Sequence, residues 1–166
     1  MERVLLAVDG VKVSNSVLDY SLELCRRIKA GLSILHIVND SRYIEMIEKQ
    51  CTKMKRIGQY LETTHMAATF AEADDHDTAR QYISKTIDEM NAVARQTADR
   101  GVSYQMSYRA GKSEMEIPRF VREHPDVIIT IFDSPGQRSD TAVRLQFEKM
   151  KQRIDIPVVQ IDKAKT

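Results

Sequence analysis

Val4-Leu5-Leu6-Ala7-Val8 runs into Asp9-Gly10, and a second apolar run, Leu32 to Val38, follows after an amphipathic stretch. A half-exposed strand alternates apolar and polar residues, because successive side chains point to opposite faces. Neither run alternates in that way. Both therefore belong in a sheet covered on its two faces, which is the situation of a parallel sheet with helical crossovers. The segment between them predicts a helix from about Ser14 to Ala30, with Val17, Leu18, Ser21, Leu22, Leu24, Cys25 and Ile28 on one stripe. Gly31 is expected to end it, since glycine takes the left-handed C-cap conformation without steric cost. The first forty residues thus read as a β-α-β unit. In open parallel sheets ligands are met at the carboxyl ends of the strands, where Asp9 stands. That position points to binding of a small molecule or nucleotide.

Working outward, the segment between Val38 and Gly101 is polar and periodic at helical spacing in two places. Ile44, Ile47, Met54, Ile57 and Leu61 suggest one helix; Ala79, Tyr82, Ile83, Ile87, Met90 and Ala94 suggest another, closed by Gly101. A third strand is expected over Val102 to Tyr108, where Val102, Tyr104, Met106 and Tyr108 share a face and the alternation marks a sheet edge. Val127 to Phe132 is a fourth, continuous apolar strand, followed by a turn at Asp133-Ser134-Pro135-Gly136 and a helix from about Ser139 to Arg153. Pro157 to Ile161 closes the chain as a fifth strand. The element order predicts an α/β sandwich, read as a single domain over residues 1–166.

Motifs with possible chemistry are few, and most have a structural explanation. Gly111-Lys112-Ser113 invites a phosphate-loop reading, but Met106 stands where that motif needs its first glycine. Ser113 with Glu116 is better read as a capping box opening a helix, with Pro118 at the limit of its first turn. The acidic cluster Ala71-Glu72-Ala73-Asp74-Asp75-His76-Asp77 is read as helix-start chemistry, with Asp75 or Asp77 as N-cap, in preference to a metal site. His36 is expected to be a satisfied core residue of the second strand, and His65 and His124 lie near helix ends. Cys25 is read as a buried thiol, and Cys51, in a basic stretch, as an ordinary exposed one.

Composition narrows the function classes. The chain has 166 residues, 25 basic and 24 acidic, for a formal net charge of +1. Such a balance offers no basic face for nucleic acid. No apolar stretch approaches the ~20 residues of a membrane span, and Met1-Glu2-Arg3 leads straight into a strand, so neither a membrane nor a signal peptide is expected. Two cysteines without metal-ligand spacing fit a reducing compartment. A cytoplasmic location is expected.

The order of elements and several local signatures resemble the universal stress protein family. The matching pieces are Val4 to Gly10, Gly31 to Val38, Gly111 followed by a helix, Pro125-Asp126-Val127-Ile128-Ile129, and Ile156-Pro157-Val158-Val159. The resemblance implies a three-layer Rossmann-like sandwich of the adenine nucleotide alpha hydrolase-like type, its five-stranded parallel sheet ordered 3-2-1-4-5. It also implies a homodimer joined through the last strand, here Val158, Val159 and Ile161; an unpaired edge there would otherwise be a liability. Some members bind ATP. In those, an aspartate ending strand 1 and a backbone group ending strand 2 hold the adenosine, positions matching Asp9 and Val38. The phosphates rest on a loop after strand 4, Gly-x2-Gly-x9-Gly-[Ser/Thr], where glycine lets backbone N–H groups approach phosphate oxygens.

This chain departs from that loop. With the second glycine on Gly136, Asp133 stands at the first glycine position and Gln146-Phe147 where Gly-[Ser/Thr] belongs; a two-residue shift puts Arg144-Leu145 there instead. A carboxylate at Asp133 repels a triphosphate at close range unless a cation intervenes. The candidate ligand-facing residues are therefore Asp9, Val38, Gly111, Asp133, Ser134, Gly136 and Arg138. The expected function is a universal stress protein-like regulatory or stress-response module without tight ATP binding, non-enzymatic and without a resident cofactor. The alternative is an adenine-nucleotide switch, holding ATP or AMP, in which Arg138 or Arg144 replaces glycine backbone contacts by side-chain charge.

Overall fold

The computed structural model describes residues 1–38, 45–46, 76–134 and 140–161. Its elements, in chain order, are β1 (Arg3–Asp9), α1 (Asn15–Ile28), β2 (Gly31–Val38), α2 (His76–Arg100), β3 (Tyr104–Ala110), α3 (Ser113–Glu123), β4 (Val127–Asp133), α4 (Asp140–Lys151) and β5 (Val158–Gln160). The five strands pair in parallel in the order β3-β2-β1-β4-β5. The β1 and β2 runs are central, and both are buried along nearly their whole length. This is why they lack alternation: each side chain meets a helix layer whichever way it points.

Alternate residues feed two cores. Val4, Leu6 and Val8 of β1, with Leu32 and Ile34 of β2, pack under Val17, Leu18, Leu22 and Cys25 of α1 and Val93 of α2. Leu5, Ala7, Leu35 and Ile37 face the other way, against Ile117 and Phe120 of α3 and Met150 of α4. Fully burying one such aliphatic side chain contributes about 1.5–3 kcal/mol. The α1/α2 and α3/α4 layers therefore hold the sheet from both sides. Among the described residues no helix is long and apolar enough to cross a membrane.

Several local expectations shift. Lys29, not Gly31, takes the left-handed conformation after α1, with φ 58°, and Ala30 N–H closes the helix on Cys25 O at 3.0 Å. Gly31 instead begins β2, where a Cβ would come within 3.0 Å of the Arg3 guanidinium. Gly101 does stop its helix: at φ +64° it donates to Ala98 O while Val102 donates to Thr97 O, a Schellman closure. Because that closure uses Gly101 and Val102, β3 starts two residues later than expected. It is the sheet edge, exposed to half-buried along its length.

The capping box at Ser113 is absent. Lys112 is the N-cap residue of α3 and makes no side-chain cap bond, while Ser113 is the first helical residue and its buried Oγ has no hydrogen-bond partner. Pro118 consequently lies beyond the first turn and cannot donate to Glu114 O; Arg153 Nη1 reaches that carbonyl at 3.4 Å. The proposed helix over 44–61, His65, Cys51 and Asp75 fall outside the described residues, apart from residues 45–46, and Asp77 lies inside α2 rather than capping it. His124 does end α3. Cys25 is fully buried, and burial pushes its thiol up to about 11.

Candidate functional site

All strands point the same way, so Asp9, Val38, Ala110 and Asp133 end at one edge of the sheet. Register places Asp9 beside Ile37 and Val8 beside Asp133. The reading from sequence thus brought Asp9, Val38, Gly111 and Asp133 to a common edge, with Ser134 one residue beyond β4. Gly136 and Arg138 lie outside the described residues.

The β1–β2 half of this edge is built from backbone groups and an imidazole, with the Asp9 carboxylate at the strand end. Gly10 has φ +118°, a conformation that side chains rarely adopt, and its N–H donates to Ile37 O at 2.9 Å. Its carbonyl lies 2.9 Å from His36 Nδ1. Gly111 N–H donates to Val38 O at 3.0 Å, joining the ends of β2 and β3. Asp9 is half-buried at the end of β1. His36 is fully buried and stacked on Tyr108 of β3, the ring centroids 4.8 Å apart and the planes at 12°. Burial lowers its pKa from 6.5 to about 4, against a raising effect of the Gly10 bond, so the ring is neutral. His36 was expected to be satisfied; it is only half so, because Nε2 has no hydrogen-bond partner.

The β1–β4 half is built from carboxylates. Asp133, 2% exposed, receives Ser14 N–H on Oδ2 at 2.8 Å and Ser14 Oγ–H on Oδ1 at 3.0 Å. Ser14 is the N-cap residue of α1, and its own side chain makes no cap bond. Glu89 of α2 accepts Val13 N–H at 2.8 Å. Two consecutive N–H groups just before α1, those of Val13 and the N-cap residue Ser14, are thus taken by the chain's own acids.

Arg109, two residues before Gly111-Lys112-Ser113, is engaged elsewhere. It pairs with Glu123 and Glu116 of α3 and lies 5.1 Å over the Phe120 ring. The second half of the expected glycine motif has a different shape as well. Residues 144–147 are in the interior of α4, where N–H groups bond within the helix; Phe147 packs into the second core and Gln146 approaches Glu114 at 3.4 Å. Neither register of the motif therefore supplies a phosphate-facing loop from these residues. Among the described residues no group of His, Cys, Asp and Glu forms a metal cluster.

Sequence reasoning missed Ser14 and Glu89 as parts of this edge. Glu89 gave no signal: the apolar spacing pointed to Ile87, Met90 and Ala94, which are half-buried, whereas the buried stripe of α2 is Thr86, Val93 and Thr97. The Ser14–Asp133 contact joins residues 119 apart and had none.

No protein-family model and no curated protein matches this sequence. Solved structures do match over nearly the whole chain. Universal stress protein UspA from Lactobacillus plantarum is 13% identical with a TM-score of 0.61, covering 97% of each chain. The universal stress protein from Archaeoglobus fulgidus in complex with dAMP is 15% identical with a TM-score of 0.55, covering 98% of each. A universal stress protein family protein from Arabidopsis thaliana with AMP bound is 13% identical with a TM-score of 0.54, covering 97% of this chain and 91% of its own. The likeness is one of fold: this chain has the three-layer, 3-2-1-4-5 architecture of universal stress protein structures.

Proposed function

We propose that the protein is a universal stress protein-like regulatory or stress-response module that does not hold ATP tightly. The observation that carries this reading is the Asp133 carboxylate seated on Ser14 N–H and Oγ–H, with Glu89 on the neighbouring N–H. A triphosphate brought to this part of the edge meets buried negative charge where it would need donors. A non-enzymatic role belongs to this reading. Cytoplasmic location and the lack of a resident cofactor belong to the same reading.

A second reading is supported by the β1–β2 half of the edge and by the AMP and dAMP bound in two structures sharing the fold. There Asp9 and Val38 receive an adenine nucleotide whose phosphate is short or carried outside the Asp133 region. Homodimerisation through β5 completes the proposal: Val158 and Ile161 lean on the cores, and β4 is the one strand paired with β5 among the described residues.

Native mass spectrometry of freshly purified protein tests both readings. A dimer carrying no ATP and taking up none supports the first; AMP uptake alone supports the second. Co-purified ATP overturns the first, and a monomer at micromolar concentration overturns the dimer.

A further inference from the structure

The turn after β1 is held by β2 at two points, Gly10 N–H on Ile37 O and His36 on Gly10 O, each at 2.9 Å. A carbonyl oxygen only accepts, so His36 Nδ1 carries the proton and Nε2 keeps its lone pair. Nε2 is buried without a partner, so all of the ring's hydrogen bonding runs through Nδ1. Tyr108 covers one face of the ring in a parallel stack, which fixes its plane. Gly10, at φ +118°, turns the chain directly after Asp9 at the strand end.

We propose that His36 is a positioning residue of the ligand-facing edge: its Nδ1–H pins the Gly10 carbonyl, in the peptide after Gly10, while Ile37 O holds the Gly10 N–H of the peptide that Asp9 shares, and the two bonds together fix the turn that presents Asp9 at the end of β1. This rests on the reading of Asp9 as ligand-facing. A side chain present only to fill volume would work through either ring nitrogen or through none. Here one atom carries the effect, and two substitutions separate the cases. An asparagine amide places its N–H close to Nδ1, whereas a glutamine amide reaches toward Nε2.

The test uses the full chain and nuclear magnetic resonance, with AMP as the probe. In the wild type, the ring nitrogen shifts of His36 are expected to show the neutral Nδ1–H tautomer at pH 7. His36→Asn is expected to leave the Asp9 and Gly10 amide shifts near their wild-type positions and AMP affinity within about threefold. His36→Gln is expected to move both amides and to weaken AMP about tenfold or more, the equivalent of one lost hydrogen bond. An Nε2–H tautomer in the wild type overturns the proposal without any variant, as does equal behaviour of the two variants at Asp9 and Gly10. If wild-type protein takes up no AMP, the ligand reading of Asp9 fails by itself, and the tautomer and the amide shifts still decide the role of His36.

Discussion

The two halves of the carboxyl edge are made of opposite materials. Between β1 and β2, backbone groups and a neutral imidazole hold the turn after Asp9. Between β1 and β4, two carboxylates hold the start of α1. Both solutions satisfy the same requirement, that buried N–H and C=O groups at a strand-to-helix junction find partners. Their consequences differ. In the β1–β2 half one carboxylate, Asp9, stands half-buried at the strand end, while in the β1–β4 half Asp133 and Glu89 take the N–H groups of Ser14 and Val13 just before α1.

The comparison breaks most visibly with acid. His36 has its folded-state pKa at about 4, below the ordinary value of 6.5. Between these values the unfolded chain binds the proton and the folded chain does not. Stability from this group is therefore full above about pH 6.5 and falls as the pH drops toward 4, by roughly 3 kcal/mol. Urea unfolding at a series of pH values measures it; the slope between pH 6.5 and 4 is expected to flatten in His36→Asn. An unchanged slope would remove the neutral-histidine half of the comparison.

Next comes Asp133→Ala, which leaves Ser14 N–H and hydroxyl without their buried acceptor. A loss of about 2–3 kcal/mol is expected, read as a lower urea midpoint at constant m-value. Glu89→Ala removes one bond, to Val13 N–H, from a less buried position, and about 1 kcal/mol is expected from the same measurement. Ser14→Ala is the mildest, since the N–H bond to Asp133 survives and only the hydroxyl is lost; about 0.5–1 kcal/mol is expected. If Ser14→Ala cost as much as Asp133→Ala, the carboxylate would not be the anchor of this half.

The neutral half was more legible in the sequence than the charged one, for a physical reason. Val4 to Val8 and Leu32 to Val38 are continuous apolar runs because two helix layers cover them, so strand identity and the position of Asp9 follow from local pattern. Asp133 read as the first residue of the turn after β4 and is the last of the strand; its conflict with a phosphate was apparent. Its partner was not, since a contact between residues 14 and 133 is a product of sheet order and helix placement rather than of any local motif. Where local rules misled, tertiary or neighbouring demands took precedence. Lys29 takes the left-handed turn and Gly31 already begins β2 against Arg3; Gly101-Val102 closes α2, so β3 begins later. Ser113 reads as a cap but enters the helix and is buried, which leaves its hydroxyl without the bond that a cap would make.

The central claim is that the chain's own carboxylates close the β1–β4 half to a triphosphate. Isothermal titration of ATP, in the absence of magnesium, into wild-type protein and Asp133→Asn tests it most directly. The account predicts wild-type affinity weaker than about 1 mM and a gain of about tenfold or more in the variant, as one buried negative charge is removed while an acceptor for Ser14 is kept. Micromolar ATP binding by the wild type, unchanged in Asp133→Asn, would contradict it.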